Sequence, residues 1–286
     1  MILMACLHHG SKLLHIAAVA TFLSLVVCGC ATRAPRADGD AMLRAAAPSC
    51  RERPPAAYTP DATREERDRI FSLLAFAIVA KSWQPWDAEK RRGYNIGAVL
   101  VDEDGQIVCW AVNSIGATDN GTQHAETRLM VNYLDVTKGT NLGKHVVYTT
   151  LEPCAMCGGM MTLQSVERAV YGQSDPGYGK AIERLTFDSA AHDGYCPYPR
   201  GVQSVPSTLA ARERLEKAYA AAGEGGIVKW LGGTDAQRIY EDARREFLAF
   251  QPEHAANETV LKAARAYYDK VPGKYVKMPY TLQCPS

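Results

Sequence analysis

Between Thr63 and Gly172 the apolar residues of this chain change period repeatedly, and the order of those changes leaves few folds open. The run "TREERDRIFSLLAFAIVAKSW" carries Ile70, Phe71, Leu74, Ala77 and Ile78 on one helical face behind a Thr63–Glu66 capping box, which predicts a first helix. "IGAVLVDEDGQIVCWAVN" is two β-rich runs around Asp104 and Gly105, a strong short-range hairpin signal. "HAETRLMVNYLD" sets Leu129, Met130, Tyr133 and Leu134 along one side of a second helix, and "KHVVYTT" reads as a third strand. "CAMCGGMMTLQS" suits a third helix and "RAVYG" a fourth strand. Helix, hairpin, helix, strand, helix, strand is the order of an α/β sheet sandwiched by helices, its middle strands joined by crossover helices.

The flanks are of different character. Residues 1–30 read as a lipoprotein signal peptide: His8, His9 and Lys12, an apolar core from Leu13 to Val27, then "VCGC" with Gly29 before Cys30. The core is short for a bilayer span, which needs roughly 20 apolar residues. Cys30 is the expected lipidation site, and Ala31 after it lacks the acidic residue that argues for inner-membrane retention. The expectation is a cell-envelope lipoprotein facing the periplasm, anchored to the outer membrane by its lipid. Residues 31–60 are an Ala/Pro/Arg-rich tether with too few large apolar groups to fold alone. Residues 61–183 hold the alternating core, 184–208 have no period and read as a loop insertion, and 209–286 read as a helical appendage. Its two amphipathic helices carry Ile239, Ala243, Phe247 and Phe250, then Val260, Leu261, Ala264 and Tyr268, behind Thr234 and Asn257 as caps. With 32 basic against 31 acidic residues, the chain has no phosphate-binding stripe, so tight binding to long nucleic acid is disfavoured.

The chemistry concentrates at two helix starts. His124 opens the second helix, and Cys154 and Cys157 open the third, each after a β-element, at the edge where such sheets build their sites. A helix N-terminus favours a thiolate. Two thiolates and an imidazole give zinc three protein ligands and leave a fourth tetrahedral position for water, the pattern of a catalytic metal. Glu126, two residues beyond the imidazole, is an acid beside the metal and outside its ligand set, able to take a proton from that water. Each half alone says less. A His two before a Glu is common by chance, and "PCAMC" in an exported chain also suits a dithiol redox pair. A redox pair needs no upstream "HAE", whereas a zinc site does.

"QHAET", "VYTTLEPCAMCGGMM" and "ERAVYGQSDPGYGKA" together resemble the cytidine deaminase-like superfamily, in the branch of tRNA adenosine, guanine and small cytosine deaminases, over roughly residues 65–182. The resemblance implies a three-layer α/β/α sandwich with a mixed sheet, Zn2+ on His124, Cys154 and Cys157, and Glu126 as proton shuttle. It also implies that Asn113 contacts the substrate, and that backbone groups of Ala98 and Val99 meet it. Leu151 and Glu152 match as well. The loop "SIGATDNGTQ" before His124 lacks the proline and threonine pattern of the tRNA enzymes. A small heterocyclic substrate, a free nucleobase or nucleoside, is therefore expected, with nucleic acid not expected as a partner. Relatives in this branch are often dimers, which leaves a homodimer open.

Two rivals remain, a periplasmic dithiol redox protein and an inactive zinc-stabilised envelope module. Among the remaining thiols, Cys109 lies in an apolar strand and is expected to be a core residue, and any two of Cys50, Cys196 and Cys284 can pair in an oxidising compartment.

Overall fold

The computed structural model of the chain describes residues 58–223, 225–274 and 283–285. The signal, Cys30, Cys50 and the tether up to residue 57 lie outside the described residues. Among the described residues no helix is long and apolar enough to cross a membrane.

Helix α1, Ala62–Lys81, is followed by the hairpin strands β1, Gly97–Val101, and β2, Ile107–Val112. The turn falls where Asp104 and Gly105 predict it: Asp102 Oδ1 accepts from the amides of Asp104 and Gln106, and Gly105 supplies a φ of 78°. A short turn of helix α2, Ile115–Thr118, leads into α3, Ala125–Thr137, then β3, Val146–Thr149, α4, Ala155–Leu163, and β4, Arg168–Tyr171. With β5, Gln203–Pro206, the sheet order is β2-β1-β3-β4-β5, antiparallel on its hairpin side and parallel from β3 onward. It is the mixed, helix-flanked α/β sheet that the order of elements predicts, with α3 against β1 and β2 on one face and α1 on the other.

The two-residue period of β3 divides the labour of the sheet. Tyr148 points toward α1, where its hydroxyl donates to Asp68 Oδ1 at 2.6 Å and Arg168 donates to the same oxygen at 2.9 Å. Its neighbour Thr149 points to the opposite face, toward Glu126. Asp68 and Arg168 form a buried ion pair, and Tyr58 completes it by donating to Asp68 Oδ2 at 2.7 Å.

Several local expectations differ from the structure. Asp61, not Thr63, caps α1, its side chain accepting from the Arg64 amide at 2.8 Å. Glu66 is buried instead, accepting from Asn257 Nδ2 and from the amides of Glu253 and His254. Asn257 is correspondingly no side-chain cap of its helix, its amide donating to Glu66 and to Thr63 O, and Thr234 is the first helical residue, with Gly233 at the cap position. In both cases a long-range partner or a neighbouring residue wins over a local pattern. The 184–208 insertion is not all loop. It ends in the four-residue strand β5, Gln203–Pro206, which pairs parallel to β4. Strand β5 has no alternation to betray it; the open edge of β4 decides its conformation.

After β4 comes the short α5, Ala181–Leu185, and the appendage then consists of α6, Ala210–Ala221, the short α7, Ile227–Trp230, α8, Thr234–Ala249, and α9, Glu258–Lys270. It packs on the core: the Tyr240 ring of α8 lies tilted against Phe76 and edge-on to Trp83, with centroids 4.7 and 5.1 Å apart. Helix α1 therefore lies between the sheet and α8, and residues 70–80 are buried all round rather than along one stripe.

Cys109 is not a lone core thiol. It is fully buried but bonded to Cys284, tying β2 to the end of the chain, and Cys196 is disulfide-bonded as well. An apolar setting looks the same for a packed thiol and for half of a cystine, so the strand pattern could not separate them. Asn132 and Tyr267 hold the same terminal segment by donating to Gln283 Oε1 at 2.7 Å and Gln283 O at 2.8 Å. Cys284→Ser is expected to lower unfolding stability by about 2–5 kcal/mol. Urea unfolding of wild type and variant checks this, and an unshifted midpoint would refute it.

Candidate active site

The site forms where β2 and β3 end and two helices begin. His124 and Cys154 are the N-cap residues of α3 and α4, both in extended backbone, and Cys157 sits in the first turn of α4. Their ligand atoms converge: Cys154 Sγ is 3.6 Å from His124 Nδ1 and 3.7 Å from Cys157 Sγ, and Cys157 Sγ is 3.7 Å from His124 Nδ1. Among the described residues this is the only such group of possible metal ligands. Tetrahedral zinc, with Zn–S of about 2.3 Å and Zn–N of about 2.0–2.1 Å, requires edges of about 3.8 Å between sulfurs and about 3.6 Å from sulfur to nitrogen. The donor triangle has those edges, so zinc fits. The two sulfurs are free thiols, not a disulfide, in a chain that oxidises Cys109 and Cys284.

The electrostatics divide the pair of thiols. Hydrogen bonding between the sulfurs, with help from His124, lowers Cys154 to about 4, whereas the same contact and burial push Cys157 up. Cys154 is thus the more readily ionised of the two. The contact with Cys154 also raises His124. Glu126, 3% exposed, is pushed up by burial. Its Oε1 accepts from Thr149 Oγ1 at 3.0 Å, and its Oε2 lies 3.7 Å from Cys157 Sγ. The carboxylate is therefore fixed next to the ligand triangle through a strand residue.

Above the triangle is a cavity of about 510 Å³ whose wall includes His124, Glu126, Cys154, Asn113, Ile96 and Leu151. Asn113 is 0% exposed, and its orientation is determined by its own neighbours. Its Oδ1 accepts from the Tyr94 and Ile115 amides at 3.1 and 3.4 Å, which turns Nδ2 away from them. That Nδ2 is buried without a protein partner. A donor left unpaired in a cavity wall is a ready contact for a polar ligand.

Ala98 and Val99 are fully buried in β1 and do not line the cavity; Tyr94 and Ile96 do. The reason is pairing on both sides: Ala98 faces Ala111 and Thr149, and Val99 faces Trp110 and Tyr148, so this stretch lies within two ladders. Glu152 is at the wall, yet its oxygens are occupied by the amides of Asp175 and Lys180, each at 3.0 Å, which pins the loop after β4. That loop brings Asp175 and Tyr178 to the cavity. No ligand or acid-base spacing marks either residue within "ERAVYGQSDPGYGKA", although the rule that sites form beyond the carboxyl ends of parallel strands points to that loop. Val228 of α7 also reaches the wall, and no sequence signal marks it. His192, Asp193 and Tyr195 are exposed and take no part in the wall.

A helix-flanked mixed sheet with an imidazole and two thiols at its helix starts defines a zinc enzyme of the hydrolytic deaminase class. Residues 75–173 match the family described as the cytidine and deoxycytidylate deaminase zinc-binding region. The chain is 31% identical to a tRNA-specific adenosine deaminase of Rickettsia felis, covering 43% of this chain and 86% of that protein. It is 36% identical to a probable cytosine deaminase of Schizosaccharomyces pombe, covering 35% of this chain and 56% of that protein. Among solved structures it is similar to one from a study of A-to-I editing by tRNA:A34 deaminases, with 26% identity, a TM-score of 0.38, and coverage of 47% of this chain and 95% of that one. The chain belongs to the cytidine and deoxycytidylate deaminase family and is a zinc-dependent hydrolytic deaminase.

Proposed function

We propose that this enzyme replaces the exocyclic amine of a free nucleobase, nucleoside or related small heterocycle by oxygen, releasing ammonia, and that it does so in the cell envelope. The observation that carries the small-substrate reading is the cavity itself. Its floor is the His124–Cys154–Glu126 group, Asn113 Nδ2 is its unpaired donor, and Val228 of the appendage closes part of its rim. The "VCGC" signal and the disulfides, which persist in oxidising compartments, support the envelope location.

His124 Nδ1, Cys154 Sγ and Cys157 Sγ would hold the zinc, which lowers the pKa of a water from 15.7 to about 7. Glu126 takes one proton as the water oxygen bonds to the ring carbon and delivers it to the ring nitrogen, then takes the second proton from the new hydroxyl and gives it to the departing amine. The C–N bond breaks as the C–O bond stays, so base-NH2 and water become oxo-base and ammonia. Asn113 Nδ2 donates to a carbonyl or ring nitrogen of the substrate and fixes its orientation. Thr149 holds the carboxylate of Glu126 in place throughout.

The name of the Rickettsia felis relative favours a second reading, adenosine within tRNA. One experiment separates the two. Zinc-loaded protein is incubated with adenine, guanine, cytosine, their nucleosides, and an anticodon stem-loop RNA containing adenosine, and ammonia and inosine are measured. Turnover of a base or nucleoside with the RNA unchanged is expected. Turnover of the RNA alone would overturn the small-substrate reading.

A further inference from the structure

We infer that Val228 is a specificity-determining residue, and that the turn carrying it limits how large a substrate the cavity accepts. The inference rests on the small-heterocycle reading and adds to it the residue that sets the limit and the preferred class, a free base over its nucleoside.

Val228 lies outside the family-matched residues 75–173, so that region alone does not complete this cavity. The turn is built to hold its position. Tyr219 Oη donates to Gly225 O at 2.8 Å at its start, and Tyr219 packs edge-on against Trp230 with centroids 5.5 Å apart. Asn95 Nδ2 donates to Leu231 O at 3.1 Å, and the Trp86 amide donates to Gly232 O at 3.0 Å. Leu231 is fully buried between these contacts. The same Trp86 lies parallel to Tyr94, a second wall residue, with ring centroids 6.4 Å apart. The turn and the loop before β1 are therefore fastened together; the turn contributes Val228 to the cavity, and the loop contributes Tyr94 and Ile96. Gly232 is required at the joint, because a Cβ there would stand 2.8 Å from the Trp86 Cβ.

A wall fastened at both ends does not yield to a larger ligand as a free loop does. Removing methyl groups from Val228 makes room, and adding a ring takes it away. A methylene in an apolar pocket changes discrimination by about ten-fold or more. The effect should therefore appear in the ratio of affinities rather than in either one alone.

The test uses the zinc-loaded full chain with Glu126→Gln to block turnover, and isothermal titration calorimetry with guanine, guanosine, cytosine and cytidine. The parent is expected to bind at least one base more tightly than its nucleoside. Val228→Ala should shrink that ratio by about ten-fold, and Val228→Phe should enlarge it by a similar factor. Gly232→Ala, which displaces the turn without touching the cavity, should move the ratio in the same direction as Val228→Ala. If the parent binds these ligands but the ratio stays within about two-fold in all three variants, the inference is overturned while the small-heterocycle reading stands. If the parent binds neither bases nor nucleosides, that reading falls and the inference falls with it.

Discussion

Glu126→Gln is expected to keep its zinc and its fold while turnover falls by about 10²–10⁴-fold. Glutamine has the shape of glutamate and retains a carbonyl oxygen able to accept from Thr149 Oγ1, now 3.0 Å from Oε1. It lacks an oxygen that can take and return a proton. The side chain is buried beside the ligand triangle but outside it, so the metal should not notice the change. Zinc content, melting temperature and ammonia release together check the prediction. Turnover within a few-fold of wild type would remove Glu126 from the proton path, and lost zinc would make it a ligand instead.

Cys157→Ser should be more severe, because it acts on the metal. Cys157 is fully buried, and its sulfur supplies one corner of a triangle whose edges suit tetrahedral zinc. A hydroxyl is a poor replacement for a thiolate at such a corner. Zinc per chain is expected to fall from about one to near zero, with no measurable turnover and a lower melting temperature, since metal binding stabilises the folded state. The wild type treated with chelator should behave the same way and recover on adding zinc. Acid should also release the metal, because the thiolates and the neutral imidazole must lose protons to bind it, and affinity therefore falls as pH falls. A variant that keeps stoichiometric zinc would disprove the ligand role. Full activity in the chelated wild type would show that turnover does not need the metal.

The parts of this molecule that sequence made legible are those governed by short-range order. Alternation in "KHVVYTT" is what sends Tyr148 to Asp68 and Thr149 to Glu126, and helix starts at His124 and Cys154 followed from the apolar period behind them. The residues that escaped are governed by distant partners. Glu66 looks like half of a capping box until Asn257 arrives from 191 positions away. Cys109 looks like packing until Cys284 arrives from 175 positions away. Val228 follows a glycine-rich stretch that reads as a joint, and only its attachment to Asn95 and Trp86 makes it part of a wall. Ala98 and Val99 show the opposite error: the strand was right, but residues paired on both flanks have little left to offer a ligand.

The burial of residues 70–80 of α1 on every side has a practical corollary. A fragment stopped near residue 183 would retain the whole ligand triangle and yet leave Phe76 and Trp83 without the Tyr240 ring that covers them. Such a piece would present a greasy helix to water and would clump rather than catalyse. A change at Tyr240 is therefore also a change to the helix that supports the sheet under the ligand triangle.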